Sequence, residues 1–149
     1  MYDRILVPTD GSEQAIAAID DGIELAQLTG ATIHALYVVE PIPLGRFPAG
    51  IEAAGSDWDD VVDEQKSEGK RAVETIAERA ADAGVDVVEA IEHGKPSVKI
   101  LEYVDDQDVD AIVMGTHGRT GAGRLMLGSV AEKVVRQSEV PVLTVRMTD

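Results

Sequence analysis

The residues of this chain best suited to chemistry are five glycines and a serine: Gly115, Gly118, Gly121, Gly123, Gly128 and Ser129. The apolar run Ile112-Val113-Met114 ends at Gly115, a polar loop carries the next glycines, and Gly128-Ser129 opens the helical pattern Val130, Val134, Val135. Backbone without side chains lets a ligand approach closely, and the first turn of a helix leaves its amide N–H groups unpaired. A strand, a glycine loop and a helix start, in that order, suit a phosphate. A second polar turn, Pro8-Thr9-Asp10-Gly11-Ser12, follows the apolar run Ile5-Leu6-Val7, and its Ser12 can cap a helix.

Three phosphate chemistries fail on the residues their patterns require. The Walker pattern GxxxxGK[ST] fits from Gly118 to Gly123, but Arg124-Leu125 stand where Lys and Ser/Thr are required. The dinucleotide pattern GxGxxG fails because Gly121-Ala122-Gly123 is followed by Arg124-Leu125-Met126, in a loop after the fourth strand rather than the first. The aspartyl phosphotransferase pattern DxDGT would put its nucleophile at Pro8, which cannot attack. Without cysteine there is no thiolate and no cysteine metal site, and His34, His93 and His117 lack metal-ligand spacing. Asp105, Asp106, Asp108 and Asp110 read as a solvated turn, not a cation site. No nucleophile or general base stands beside the loop in sequence, so no catalytic residue is assigned and any hydrolysis is expected to be slow.

The elements that must position these loops follow from periodicity. Arg4 to Pro8 reads as a buried strand. Ala15, Ile16, Ile19, Ile23 and Ala26 then form one helical stripe, which Gly30 ends. Thr32 to Val39 is a second strand, Pro41 to Gly55 a long mobile surface loop, and Asp57 to Asp82 a helix stopped by Gly84. Val85 to Ile91 is a third strand, Pro96 opens a short helix, Val109 to Met114 is a fourth strand, Ser129 to Gln137 a helix, and Val140 to Val145 a fifth strand. Pro141 fits only at the start of that strand or on a sheet edge. Strands alternating with helices predict an α/β fold with a parallel, doubly wound sheet and helices on both faces. Ligands of such sheets lie at the carboxyl ends of strands, where strand order reverses. Pro8-Thr9-Asp10 and Gly115 to Gly128 both end strands there.

The 149 residues, 44% hydrophobic, suffice for a single domain over 1–149. The net charge of −15 opposes nucleic acid, whose binding requires neutralising phosphates. The same acidity suits concentrated salt, as it does an ordinary acidic cytosolic protein. No apolar run of about 18 residues occurs, and Met1-Tyr2-Asp3-Arg4 leads straight into a strand, so a cytoplasmic protein that does not engage membranes is expected.

Gly115-x2-Gly118-x9-Gly128-Ser129, taken with Pro8-Thr9-Asp10 and the closing Val140-Pro141-Val142-Leu143, resembles the universal stress protein family in its ATP-binding branch, from Arg4 to Val145. The resemblance implies a five-stranded parallel sheet of the adenine-nucleotide α-hydrolase kind, a homodimer formed through Val140 to Val145, and a stress-response regulator that holds ATP. It implies that Asp10 bonds the ribose with Pro8 and Thr9 beside it, and that Val38 recognises adenine through its backbone. Met114, Gly115, Gly118, Gly128, Ser129 and Val130 match the remaining contacts, and Arg119 follows the loop pattern.

Magnitudes constrain those roles. A carboxylate about 4 Å from a phosphate is opposed by roughly 1–4 kcal/mol. Asp10 must therefore serve ribose hydroxyls, or share Mg²⁺ or Mn²⁺ with the phosphates. A helix terminus supplies about 0.3–2 kcal/mol toward an anion, whereas micromolar affinity needs about 8 kcal/mol. Several amides, adenine burial near Val38, and Arg119 and Arg124 must add to it. Ser129-Val130-Ala131-Glu132 also reads as a capping box, which is compatible with anion binding. Two alternatives stay open: an enzyme that splits the α–β phosphate bond, and a nucleotide-free interaction protein, the branch in which the glycine motif is typically lost.

Overall fold

Apolar runs bounded by turn residues become the strands β1 (Arg4–Thr9), β2 (Thr32–Val39), β3 (Val87–His93), β4 (Ala111–Gly115) and β5 (Val142–Val145). Between them lie the helices α1 (Gln14–Thr29), α2 (Gly55–Asp82), α3 (Pro96–Asp106) and α4 (Arg124–Gln137). The computed structural model describes residues 2–12, 14–40, 55–116 and 124–146, with the backbone alone at 14, 55–62 and 124–128. The expected Pro41 to Gly55 loop lies outside the described residues as far as 54, and Gly55 itself begins α2.

The sheet is parallel throughout, in the order β3-β2-β1-β4-β5. Successive side chains of a strand point to opposite faces, and the core divides accordingly. Ile5, Val7, Ile33, Ala35, Tyr37, Val39 and Val113 pack with α1 and α2. Leu6, Leu36, Ile112 and Met114 pack with Ile100, Tyr103 and Val104 of α3 and Ala131 and Val134 of α4. The predicted α/β architecture, with helices on both faces, is the one observed.

Three helices end by one device. Gly30, Gly84 and Asp108 take positive φ values of 76°, 74° and 52°. The next residue in each case, Ala31, Val85 or Val109, donates its N–H back to the carbonyl of Ala26, Ala80 or Val104 at 3.2, 2.8 and 3.0 Å. All three apolar residues are buried, as expected of the hydrophobic contact that accompanies such caps. The strands β3 and β4 consequently start at Val87 and Ala111, two residues later than periodicity predicted, because Val85 and Val109 anchor helix ends. Asp108 does the work of a glycine, which its short polar side chain permits.

Pro96 occupies the first turn of α3, as expected. Pro141 directly precedes the edge strand β5, and its carbonyl accepts the Ile112 N–H at 2.9 Å.

Candidate functional site

Strand order reverses between β1 and β4. From β1 the chain builds outward through β2 and β3, then crosses back to lay β4 on the other side of β1. The two turns predicted to matter therefore emerge side by side at this switch point.

The seam between β1 and β4 closes unevenly. Its ladder pairs Ile5 with Ala111 and Leu6 with Ile112. Along a parallel strand, alternate residues send their N–H and C=O groups to opposite neighbours. The Asp3 carbonyl accepts from Thr32 N–H beside β2 and the Arg4 carbonyl from Asp110 N–H beside β4. Pro8 shares the parity of Arg4, so its missing N–H falls on the β4 side, directly past the end of the ladder.

The turn after β1 is tied to itself. Thr9 Oγ1 accepts Gly11 N–H at 3.1 Å, and Asp10 Oδ1 accepts Ser12 N–H at 2.9 Å, with Gly11 at φ 81°. Asp10 is partly buried and holds the turn conformation. The expected Ser12 cap does not form, since Ser12 contributes its carbonyl to Ala15 N–H and its buried Oγ has no hydrogen-bond partner among the described residues.

Val38 lies at the carboxyl end of β2. Even-numbered residues of β2 face β1, as the Thr32 N–H to Asp3 bond shows, while Ile33 N–H turns to Asp86 beside β3. The Val38 carbonyl therefore faces the β1 side, where β1 ends at the Thr9–Tyr37 pair. Gly11 N–H, the next amide of β1's own chain that could meet it, is turned onto Thr9 Oγ1. Among the described residues, no ladder amide is therefore turned toward this carbonyl, which points to the β1 side beyond the last β1–β2 pair.

On the other side of the seam, Met114 is buried among α3 and α4, and Gly115 pairs with Val145. Thr116 N–H donates to the Val145 carbonyl at 3.1 Å. Gly118 and Arg119 lie outside the described residues, as do Gly121 and Gly123. The helix predicted to start at Ser129 starts at Arg124. Ser129 is therefore inside α4, not at its cap, and the predicted capping box is not the start of the helix. The apolar stripe from Val130 onward had marked only the buried part of a longer helix, and Gly128, a residue that usually breaks helices, lies within it.

Two polar features escaped the sequence reading. His34 is buried beneath α3, with its Nδ1 2.7 Å from the Tyr103 hydroxyl and the two rings edge to face at 5.6 Å. Burial, and secondarily the nearby positive Arg4, push the His34 pKa down; burial and then Glu92 push that of Tyr103 up. Asp110, expected to be a solvated turn residue, instead accepts the N–H groups of Asp3 at 2.7 Å and Arg4 at 2.9 Å through Oδ2. Those two bonds to its charged form hold its carboxyl below the ordinary range. Neither contact has a sequence signature, since each joins residues more than 60 positions apart. Among the described residues no group of three or more His, Asp or Glu side chains gathers as a metal site.

Residues 1–146 match the profile of the Universal stress protein family. Universal stress protein MJ0531 of Methanocaldococcus jannaschii is 36% identical over 146 residues, which cover 98% of this chain and 83% of the relative. The structure of MJ0577 from the same organism is similar at a TM-score of 0.81 and 31% identity, covering 100% of this chain and 99% of that one. A universal stress protein solved in complex with cAMP is similar at a TM-score of 0.74 and 28% identity, covering 99% of each chain. A likeness in both sequence and backbone that runs nearly end to end leaves no separate part of the fold to be explained otherwise: the chain belongs to the universal stress protein family.

Proposed function

We propose that this protein binds an adenine nucleotide, ATP in the first place, across the carboxyl ends of β1, β2 and β4, and acts as a nucleotide-dependent regulator of a stress response with slow or no hydrolysis. The observation that carries this reading is the direction of the Val38 carbonyl, which points to the β1 side beyond the last β1–β2 pair, with no ladder amide turned toward it among the described residues. An adenine amino group is a donor suited to it. The Asp10 carboxylate, one strand away, is then positioned to accept ribose hydroxyls with Pro8 and Thr9 beside it. The relative solved with cAMP supports an adenine nucleotide as the ligand class.

Met114, Gly115, Gly118, Arg119, Gly128, Ser129 and Val130 complete the proposed site on the phosphate side. In α4 as observed, the amides of Gly128, Ser129 and Val130 fall beyond the first four residues and so inside the helical hydrogen-bond pattern. Phosphate binding by these three amides requires the first turn of α4 to unwind. Gly128, a poor helix former, lowers the cost of that step. Mg²⁺ or Mn²⁺ would enter with the phosphates and share Asp10. The same reading takes the protein as a cytoplasmic homodimer joined through β5, an edge strand whose Leu143 is 47% exposed. Among the described residues no helix is long and apolar enough to cross a membrane.

Calorimetric titration of the protein with ATP and Mg²⁺ tests the reading. Saturable binding is expected, with a stabilisation of about 2.7 kcal/mol at 100 times the dissociation constant. Absence of binding at millimolar nucleotide overturns it. AMP or pyrophosphate found after prolonged incubation would favour the hydrolase alternative.

A further inference from the structure

Besides Gly128, two more glycines sit in helix interiors, where glycine is unfavourable: Gly22 in α1 and Gly69 in α2. Both are buried against the sheet. A Cβ on Gly22 would come within 2.9 Å of Val7 Cγ2, and one on Gly69 within 2.5 Å of Tyr37 Cδ1 and 2.9 Å of its Cγ and Cε1. Val7 immediately precedes Pro8, and Tyr37 immediately precedes Val38. Each helix thus lays bare backbone on the residue before a proposed nucleotide contact.

The Tyr37 ring also lies near the turn after β1. A Cβ built on Gly11 would lie 3.9 Å from Tyr37 Cε2 and 3.8 Å from Ala72 Cβ, one helical turn past Gly69. Tyr37, 3% exposed, packs against the backbone of α2 and pairs in the ladder with Thr9, which opens the turn that contains Asp10. Packed interiors shift under added volume; they do not compress. A methyl group at position 69 must move the ring, α2 or both, and Tyr37 is coupled to the Asp10 turn because it pairs with Thr9, whose Oγ1 holds the Gly11 amide.

We infer that Gly69 is a positioning residue of the nucleotide site: its contact with the Tyr37 ring fixes the spacing between the Asp10 turn and the Val38 carbonyl. This rests on the nucleotide reading above. Gly22 acts on the same edge, but its neighbours Val7 and Val113 are completely buried, so Gly69 offers the cleaner test.

The experiment compares wild type, Gly69→Ala, Tyr37→Leu, the double variant, and Ile76→Val as a core change on α2 remote from the ligand edge. Amide spectra are recorded without nucleotide, followed by ATP titration with Mg²⁺. Gly69→Ala is expected to fold, since the better helix propensity of alanine offsets part of the steric cost. Its Gly11 and Val38 amide signals should shift in the free protein, and its ATP affinity should fall about tenfold. Leucine at position 37 should return the affinity of the double variant to that of Tyr37→Leu alone. Ile76→Val should lower thermal stability and leave affinity unchanged. A wild type that binds and a Gly69→Ala that binds equally, with unmoved Gly11 and Val38 signals, overturns this inference alone. So does an equal loss of affinity in Ile76→Val. A wild type that binds no adenine nucleotide overturns the functional reading and this inference together.

Discussion

At the amino end of the β1/β4 seam, Asp110 accepts the N–H groups of Asp3 and Arg4, and its own N–H returns to the Arg4 carbonyl, so the two strands are stitched together before the ladder begins. At the carboxyl end the ladder stops at Leu6 and Ile112, Pro8 offers no donor, and the amides of Gly11 and Ser12 turn back onto their own loop. The same pair of strands is thus fastened below and unpaired above. A backbone group can recognise a ligand only when the sheet has not already used it, and the lower half compensates for what the upper half leaves open.

Three substitutions probe that contrast. The largest effect is expected from Ile112→Ala, which removes a completely buried side chain at the last rung of the ladder and should cost about 2–5 kcal/mol in urea unfolding. A loss below about 1 kcal/mol would mean that the fastened half is not where the seam holds.

Asp110→Ala should cost about 1 kcal/mol, the usual worth of such exposed bonds, with ATP affinity unchanged. Its pH signature is more specific. The Asp110 carboxyl is depressed in the folded protein, so its contribution is complete above the ordinary value of about 3.9 and fades as pH falls through the folded value. The variant should lack that acid limb. It should keep an earlier decline beginning near pH 6.5, where the unfolded chain takes up a proton that buried His34 refuses. Denaturation midpoints from pH 8 to pH 3 measure both, and an unchanged limb below pH 4 would rule out the Asp110 assignment.

The smallest change in stability, within about 1 kcal/mol, is expected from Pro8→Ala. The new N–H faces β4, so hydrogen exchange should show it protected and ATP binding should weaken as the seam narrows. Undiminished binding by a variant whose new amide is protected would show that the opening does not depend on proline.

How much of this was legible in the sequence depended on the range of the interaction. Continuous apolar runs and helical stripes located the described strands and helices, because burial leaves a local pattern in either case. Val85 and Val109 misled because a buried residue anchoring a helix cap looks, in sequence, like the first residue of a strand. Ser129 misled for a related reason: serine before an apolar stripe reads as a cap, while the turn preceding it carries no apolar period. The Pro8-Thr9-Asp10 turn and Val38 became candidates through motif resemblance. The direction of the Val38 carbonyl was not legible, since it follows from which neighbour each residue of β2 faces. Tyr37 against Gly69 and His34 against Tyr103 were likewise invisible, being products of how helices settle on the sheet.

The caps at Gly30, Gly84 and Asp108 bear on where this fold can change length. Each fixes the number of residues between the last helical turn and the buried anchor that follows, so an added residue would pull Ala31, Val85 or Val109 out of the core or force a right-handed residue into the turn. A residue inserted at any of these three turns, each at the amino end of the strand it leads into, should therefore disturb the core directly.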